Sequence, residues 1–307
     1  MQSDTKIRVG IVRGMAGEYY ESSLQKGGEV ITHIFENLPD KYQPIDILID
    51  KDYIWHFNGL PISPSDLAHR VDVVWNTTHP GLSNILESLS IPNVRASSFL
   101  SSLSNSKEML KEHMKKIGVE MPRHVILPVY QKDFDSPRER YAIKKAKEVF
   151  EKFGSPWIVR SFVPHSDMGV HLAKTFGELV NSIEDGVKHA TSILVEELIS
   201  GKVASVHSVA GFRGEDIYTF PLVNVFGEFS LGEKEKLIGL AKSLHNHIGA
   251  KHYLKSIFVL NKRGKVYLLD IGSMPNFKID SSFSEACESV GAKMYHVVEH
   301  ILNRTLG

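Results

Sequence analysis

Three short, almost wholly apolar runs recur near the N-terminus with a helix-length segment between the first two, and this alternation is the strongest constraint on the fold. Residues 7–12 (IRVGIV), 44–49 (PIDILI) and 71–76 (VDVVWN) carry the β-branched residues of buried strands. Residues 22–35 space Leu24, Val30, Ile31, Ile34 and Phe35 at helical intervals. Strand, helix, strand with short connections predicts an open parallel α/β sheet covered by helices. Such sheets bind ligands beyond the C-terminal ends of their strands, which directs attention to residues 13–21 and 76–81.

The chain is long enough for more than one such layer. Its 307 residues are 42% hydrophobic and 23% charged, as in a packed globular protein. Lys+Arg and Asp+Glu balance at 36 each, which disfavours a polybasic footprint, so neither a nucleic acid nor a membrane surface is the expected partner. Cys287 is the single cysteine, which allows no intrachain disulfide and no Cys-rich zinc site. The opening MQSDTKIRVGIVRG lacks a signal-peptide pattern, and no apolar run approaches the roughly 20 residues that span a bilayer. A cytoplasmic location is the expectation.

Beyond residue 98 the texture changes. Residues 98–106 are serine-rich, and 107–117 read as a lysine-rich amphipathic helix ended by Gly118. Strands are predicted around HVIL and at 157–160, 170–173, 193–195, 204–210, 217–221, 256–260 and 266–271. Helices are predicted at 141–153, from the capping-box Thr175-x-x-Glu178 onward, at 234–248 and at 285–302. The turn residues 261–264 (NKRG) between two apolar runs predict a β-hairpin. His245, His247 and His252 straddle a helix end at Gly249 with no cysteine nearby, so a zinc site is not expected. Cys287 has no base at nucleophile-like spacing and reads as a small buried residue.

The central segment carries the chemistry. A basic residue, Arg160, ends a strand; a polar loop with Ser166 and Gly169 follows; an apolar strand later ends in Glu196 and Glu197 before Leu-Ile-Ser-Gly. Further on, the hairpin sets Asp270 on an interior strand just before Gly272-Ser273-Met274-Pro275. This order resembles the ATP-grasp fold, and within it the D-alanine–D-alanine ligases, over nearly the whole chain. The resemblance implies an α/β and α+β architecture: an N-terminal open parallel α/β domain followed by a two-lobed ATP-grasp fold. It would divide the chain at 1–98, 99–198 and 199–307.

It also implies roles. In IVRGMAGEYYESSLQKGGEV, Glu21 sits where the family holds the first substrate's ammonium. VDVVWNTTHPG resembles the strand that delivers a substrate-side histidine, here His79, and Ser281 falls at a substrate-contacting serine. Lys107, Arg160 and Gly169 would contact ATP, and Glu196, Glu197 and Ile199 would line the adenine hinge. Ser166 would belong to the flexible catalytic loop, Lys255 would replace the arginine that stabilises the oxyanion, and Asp270 would bind Mg²⁺.

The departures fall at the chemistry. Ile257 stands where the family has a metal-binding aspartate, Gly272 where it has an asparagine ligand, and Val203 where a glutamate holds the ribose. The loop over the active site is shortened to about residues 224–230. The expected function is therefore ATP-dependent carboxylate–amine ligation through an acyl phosphate. The alternative is a catalytically silent ATP-grasp protein that binds nucleotide or a small ligand. An amino acid or peptide-like molecule is the expected substrate, with ATP and Mg²⁺ as cofactors and homodimerisation carried over from the family. Each charged residue also has a plainer reading: Lys107 as a solvated helix side chain, Arg160 as a salt-bridge residue, Glu21 as a helix N-terminal acid, His79 as a turn residue and Asp270 as a turn cap.

Overall fold

The computed structural model describes residues 6–17, 20–94, 98–162 and 166–307, and its elements follow the predicted order closely. The chain packs as two compact units. The first comprises residues 1–118, 202–258 and 268–307; the second comprises 119–201 and 259–267. The cut differs from the division at 98 and 198, and the reason is a shared core.

In the first unit, β1 (Ile7–Gly14) is followed by α1 (Tyr20–Asn37), β2 (Tyr42–Ile49), β3 (Trp55–Phe57), β4 (Leu60–Ile62), β5 (Val73–Asn76), α2 (Leu82–Ser88) and β6 (Asn93–Val94). They form a six-stranded sheet in the order β4-β3-β2-β1-β5-β6. The pairs β1–β2, β1–β5 and β5–β6 are parallel, and β3–β4 folds back as an antiparallel edge. The apolar runs are the central strands, as expected for strands covered on both faces. Gly14 ends β1 at φ +87°, and a side chain there would strike the Ile49 carbonyl oxygen, so only glycine fits the turn into α1. Two serine- and lysine-bearing helices follow, α3 (Ser98–Asn105) and α4 (Lys107–Lys116), the latter capped by Ser106, whose hydroxyl accepts from Met109 N–H at 3.2 Å.

The second unit contains β7 (His124–Leu127), α5 (Arg138–Lys152), β8 (Trp157–Ser161), β9 (His171–Ala173), α6 (Phe176–Lys188) and β10 (Ile193–Glu197). Its antiparallel sheet runs β7-β10-β8-β9. Trp157, Val159, Ile193 and Val195 pack with α5 and α6 residues such as Ala146, Leu179 and Ile183. The capping box of α6 forms as its sequence predicts: Glu178 N–H donates to Thr175 Oγ1, and Thr175 N–H donates to the Glu178 carboxylate.

The chain continues through β11 (Gly201–Ala210), β12 (Ile217–Thr219), β13 (Val223–Phe226), α7 (Leu231–Ile248), β14 (Tyr253–Asn261), β15 (Val266–Gly272), α8 (Ser282–Glu288) and α9 (Met294–Leu306), of which residues 202–258 and 268–307 belong to the first unit. These strands pair in the order β12-β11-β14-β15, with β13 also on β11. Side chains from both ends of the chain share one core: Val9, Ile11, Val30, Ile34 and Trp75 pack with Val209, Phe220, Phe277, Phe283 and Val297. Separate N- and C-terminal domains would leave that surface wet, so burial joins them.

The single C-terminal helix expected over 285–302 is two helices. Gly291 adopts φ +66° between α8 and α9, and residues that continue a helix cannot take that conformation without strain. Cys287 is fully buried, and burial pushes its thiol up to about 12, in keeping with an inert packing residue.

Three histidines are held neutral by burial. His207 sits with Nδ1 2.6 Å from Tyr253 Oη, and desolvation moves it down to about 3. His245 donates from Nε2 to the Ala250 carbonyl oxygen, and both it and His252 lie at about 4. Unfolded, each takes up a proton below its ordinary 6.5, whereas the folded protein refuses it. Their contribution is thus complete above pH 6.5 and is lost as pH falls towards the folded values. Each histidine should add a slope of about 1.4 kcal/mol per pH unit in that window. Urea midpoints measured from pH 7 to 5 should fall steeply; a flat profile would refute the neutral, buried assignment.

Candidate functional site

Beyond the C-terminal ends of β1 and β5, the first unit holds a cavity of about 210 Å³. The strand-end rule directs attention to this place, and the turn residues Gly14–Ala16, the N-terminal half of α1 and the segment Thr77–Pro80 line it. Ser101 and Ser104 of α3 and Ser273-Met274, just past β15, complete the wall. Hydroxyls brace the frame: Gly14 N–H donates to Ser23 Oγ, and Thr77 Oγ1 donates to the Val12 carbonyl at 2.9 Å. Thr78 Oγ1 donates to Asn76 Oδ1 at 2.8 Å. His79 is exposed at the cavity, where its Nδ1 accepts from Gly81 N–H at 3.1 Å; the neutral ring therefore carries its proton on Nε2.

Glu21 does not line this cavity. It lies exposed on the first turn of α1, where its charge meets the positive end of the helix dipole. The charged side chain that α1 turns to the cavity is Lys26. Spacing offered a signal for it: Lys26 is three and four positions beyond Ser23 and Ser22, which both line the wall and fix the inward face of the helix. Desolvation lowers the Lys26 ammonium from its usual range, with Glu29 acting against that shift. Glu29 itself is engaged elsewhere, accepting from Gln25 and from Phe277 N–H.

A second cluster in the same unit brings Lys107 and Asp270 together. Lys107 is 6% exposed at the start of α4, and its ammonium donates to the Leu269 carbonyl oxygen at 2.5 Å. It lies 3.6 Å from Asp270 Oδ1. Lys255, half-buried on β14, is desolvated, and the charge of Asp270 opposes that effect. A Cβ on Gly272 would meet Lys255 Cβ at 3.6 Å, so the two positions are neighbours. Strand alternation then sets Ile257 and Asp270 on that same face. Ser281 caps α8, accepting from Ser284 N–H and donating to the Asn276 carbonyl oxygen.

This face does not suit Mg²⁺. The ion needs several oxygen ligands, whereas here one carboxylate sits beside a buried ammonium and the adjacent positions are Ile257 and Gly272. Among the described residues, no group of three or more His, Cys, Asp or Glu side chains could hold a metal ion.

The second unit carries the remaining candidates. Arg160 on β8 is paired with Glu196 of β10 at 3.5 Å, across neighbouring antiparallel strands. Glu197 holds Arg123 through two bonds of 2.9 Å, so both hinge carboxylates form ion pairs. Ser166 Oγ accepts from Met168 N–H, and the Gly169 N–H serves Asp185. The backbone N–H of Glu197 and of Leu198 are used by Arg123 and Pro156, and Ile199 is half-buried just beyond them. The Arg123–Glu197 pair was not evident in the sequence, since 74 residues separate its members.

No family model matches the sequence. Among curated proteins, the chain is 20% identical to a D-alanine–D-alanine ligase from Carboxydothermus hydrogenoformans, over 96% of this chain and 97% of the relative. It is 23% identical to one from Halalkalibacterium halodurans, over 81% and 88%. Among solved structures, D-alanyl-alanine synthetase A from Vibrio cholerae superposes with a TM-score of 0.77 at 18% identity, covering 98% of this chain and 99% of the other. A D-alanine–D-alanine ligase from Bacillus anthracis complexed with ATP gives 0.70 at 18% identity, covering 98% and 97%. The chain shares its fold with these structures over 98% of its length, and its sequence is similar to D-alanine–D-alanine ligases. Among the described residues, no helix is long and apolar enough to cross a membrane.

Replacing Lys107 with Met should lower stability by about 1.5–3 kcal/mol, because the half-buried Leu269 carbonyl loses a charged donor. Urea unfolding of the variant checks this; an unchanged midpoint would show that the ammonium contributes nothing there.

Proposed function

We propose that the protein binds a nucleotide and a small acid on the ligase fold without carrying out that fold's metal-dependent ligation. One observation carries this reading: a buried lysine, not a ring of oxygen ligands, neighbours Asp270. An ammonium neutralises phosphate charge through hydrogen bonds but is not a Lewis acid, so it cannot coordinate phosphate oxygens and polarise them as Mg²⁺ does. Nucleotide binding is supported by the fold, by the ATP complex of a structural relative, and by the basic residues Lys107 and Lys255 beside Asp270 in the first unit. Small-acid binding is supported by the cavity past β1 and β5, with Lys26 and His79 in its lining.

A second reading is favoured by the length of the likeness. Relatives named as D-alanine–D-alanine ligases align over 96–99% of this chain. That continuity supports an ATP-dependent carboxylate–amine ligase with an altered site.

Thermal melts of the full chain with ATP, followed by phosphate release on adding D-alanine and related amino acids, separate the two. Under the first reading ATP raises the melting temperature and phosphate release stays at background. Amino-acid-dependent release would establish the ligase instead, and the absence of an ATP shift would refute nucleotide binding.

The double variant Ile257→Asp, Gly272→Asn tests the metal argument directly. Position 272 is not in the left-handed region, and a Cβ there makes only ordinary contact, so the amide is accommodated. Mg²⁺ should strengthen ATP binding to the variant and not to the parent chain. Equal Mg²⁺ effects in both would overturn the assignment of these positions.

A further inference from the structure

The cavity past β1 and β5 has a chemistry of its own, and it inverts the expectation placed on Glu21. A ligand presenting a free ammonium needs a carboxylate or a set of carbonyl oxygens. The described lining offers donors instead: the Lys26 ammonium, the protonated His79 Nε2 edge and hydroxyls including Ser22 and Ser101. No Asp or Glu is among the described residues that line it. Lys26 is half-buried and has no hydrogen bond or ion pair among the described residues, while the carboxylate nearest it in sequence on α1, Glu29, is tied to Gln25 and Phe277. A desolvated ammonium whose neighbouring carboxylate, Glu29, is hydrogen-bonded elsewhere is only partly compensated, and a bound anion would complete it.

We propose that this cavity receives an anionic group, a carboxylate paired with Lys26, so that its ligand is a small acid such as succinate rather than an amino acid held by its ammonium. The depressed affinity of Lys26 for its proton fits that role, since a bound carboxylate restores the charged form. His79 supplies a second donor from a different element, which fixes the direction of approach. The volume of about 210 Å³ accommodates such an acid. The inference rests on the small-acid part of the proposed function and is independent of the nucleotide.

The test is therefore run without ATP. Calorimetric titration of the full chain would use succinate, its neutral diamide succinamide, and alaninamide, which keeps the ammonium but has no carboxylate. Succinate should bind and raise the melting temperature, and the other two should do neither. Lys26→Gln should weaken succinate binding roughly tenfold or more, and Lys26→Arg should restore part of it. The glutamine variant should remain folded, because it removes an unpaired charge from a desolvated position. Binding of alaninamide, or succinate binding that survives Lys26→Gln unchanged, would overturn the proposal. So would a failure of succinate to bind the parent chain, and that result would leave the ATP measurements standing.

Discussion

The first unit is organised by the contact of one segment with the end of β5. Phe277 lies edge-on to Trp75 at 5.9 Å and to Phe283 at 6.0 Å, so the chain leaving β15 is pinned to the N-terminal sheet. Its backbone is tied to α1 as well, through Glu29, which accepts from Phe277 N–H, and His33, whose Nε2 lies 3.0 Å from the Phe277 carbonyl oxygen. The same segment contributes Ser273 and Met274, and α1 contributes Lys26, to the lining of the cavity. Aromatic burial of this kind is worth far more than the surface ion pairs scattered elsewhere, such as Lys293–Glu288 at 3.9 Å.

Charge placement then distinguishes this chain from what its fold implies. Among the described residues, Asp270 alone stands where the fold's ligases would be expected to gather metal-binding oxygens, and it faces Lys107. Glu196 and Glu197, which the resemblance placed at an adenine hinge, neutralise Arg160 and Arg123. In the cavity, a lysine occupies ground where a carboxylate was expected. In the first unit the two lysines bring positive charge to the cavity and to Asp270, which is the electrostatic basis of the proposed affinity for anions.

Some of the site was legible in the residues themselves. The rule that ligands bind past the C-terminal ends of parallel strands located the cavity, because the apolar runs of β1 and β5 and their parallel pairing follow from local composition. His79, singled out by its resemblance to a family motif, lies within the segment that the rule points to and lines the cavity. Glu21 was read from its resemblance to a motif, but which face of α1 turns inward depends on how the helix docks against Arg13 and Thr77, close to Gly27. Rotation of the helix by that packing exposes Glu21 and brings in Lys26.

By itself the sequence determined the elements and their chemistry. Hydrophobic periodicity set the strands and helices, Thr175 with Glu178 capped α6, and residues 261–264 turned the hairpin, because all of these depend on neighbours within a few residues. It also determined that the side chains of Ile257 and Gly272 offer no metal-binding atom, the expectation that the resemblance raised. Tertiary structure decided what depends on distance: that both ends of the chain share one core, that Lys107 meets a carbonyl 162 residues away, and that Lys26 rather than Glu21 enters the cavity. Those outcomes follow from the burial of whole faces, and no local pattern fixes which distant face a segment will cover.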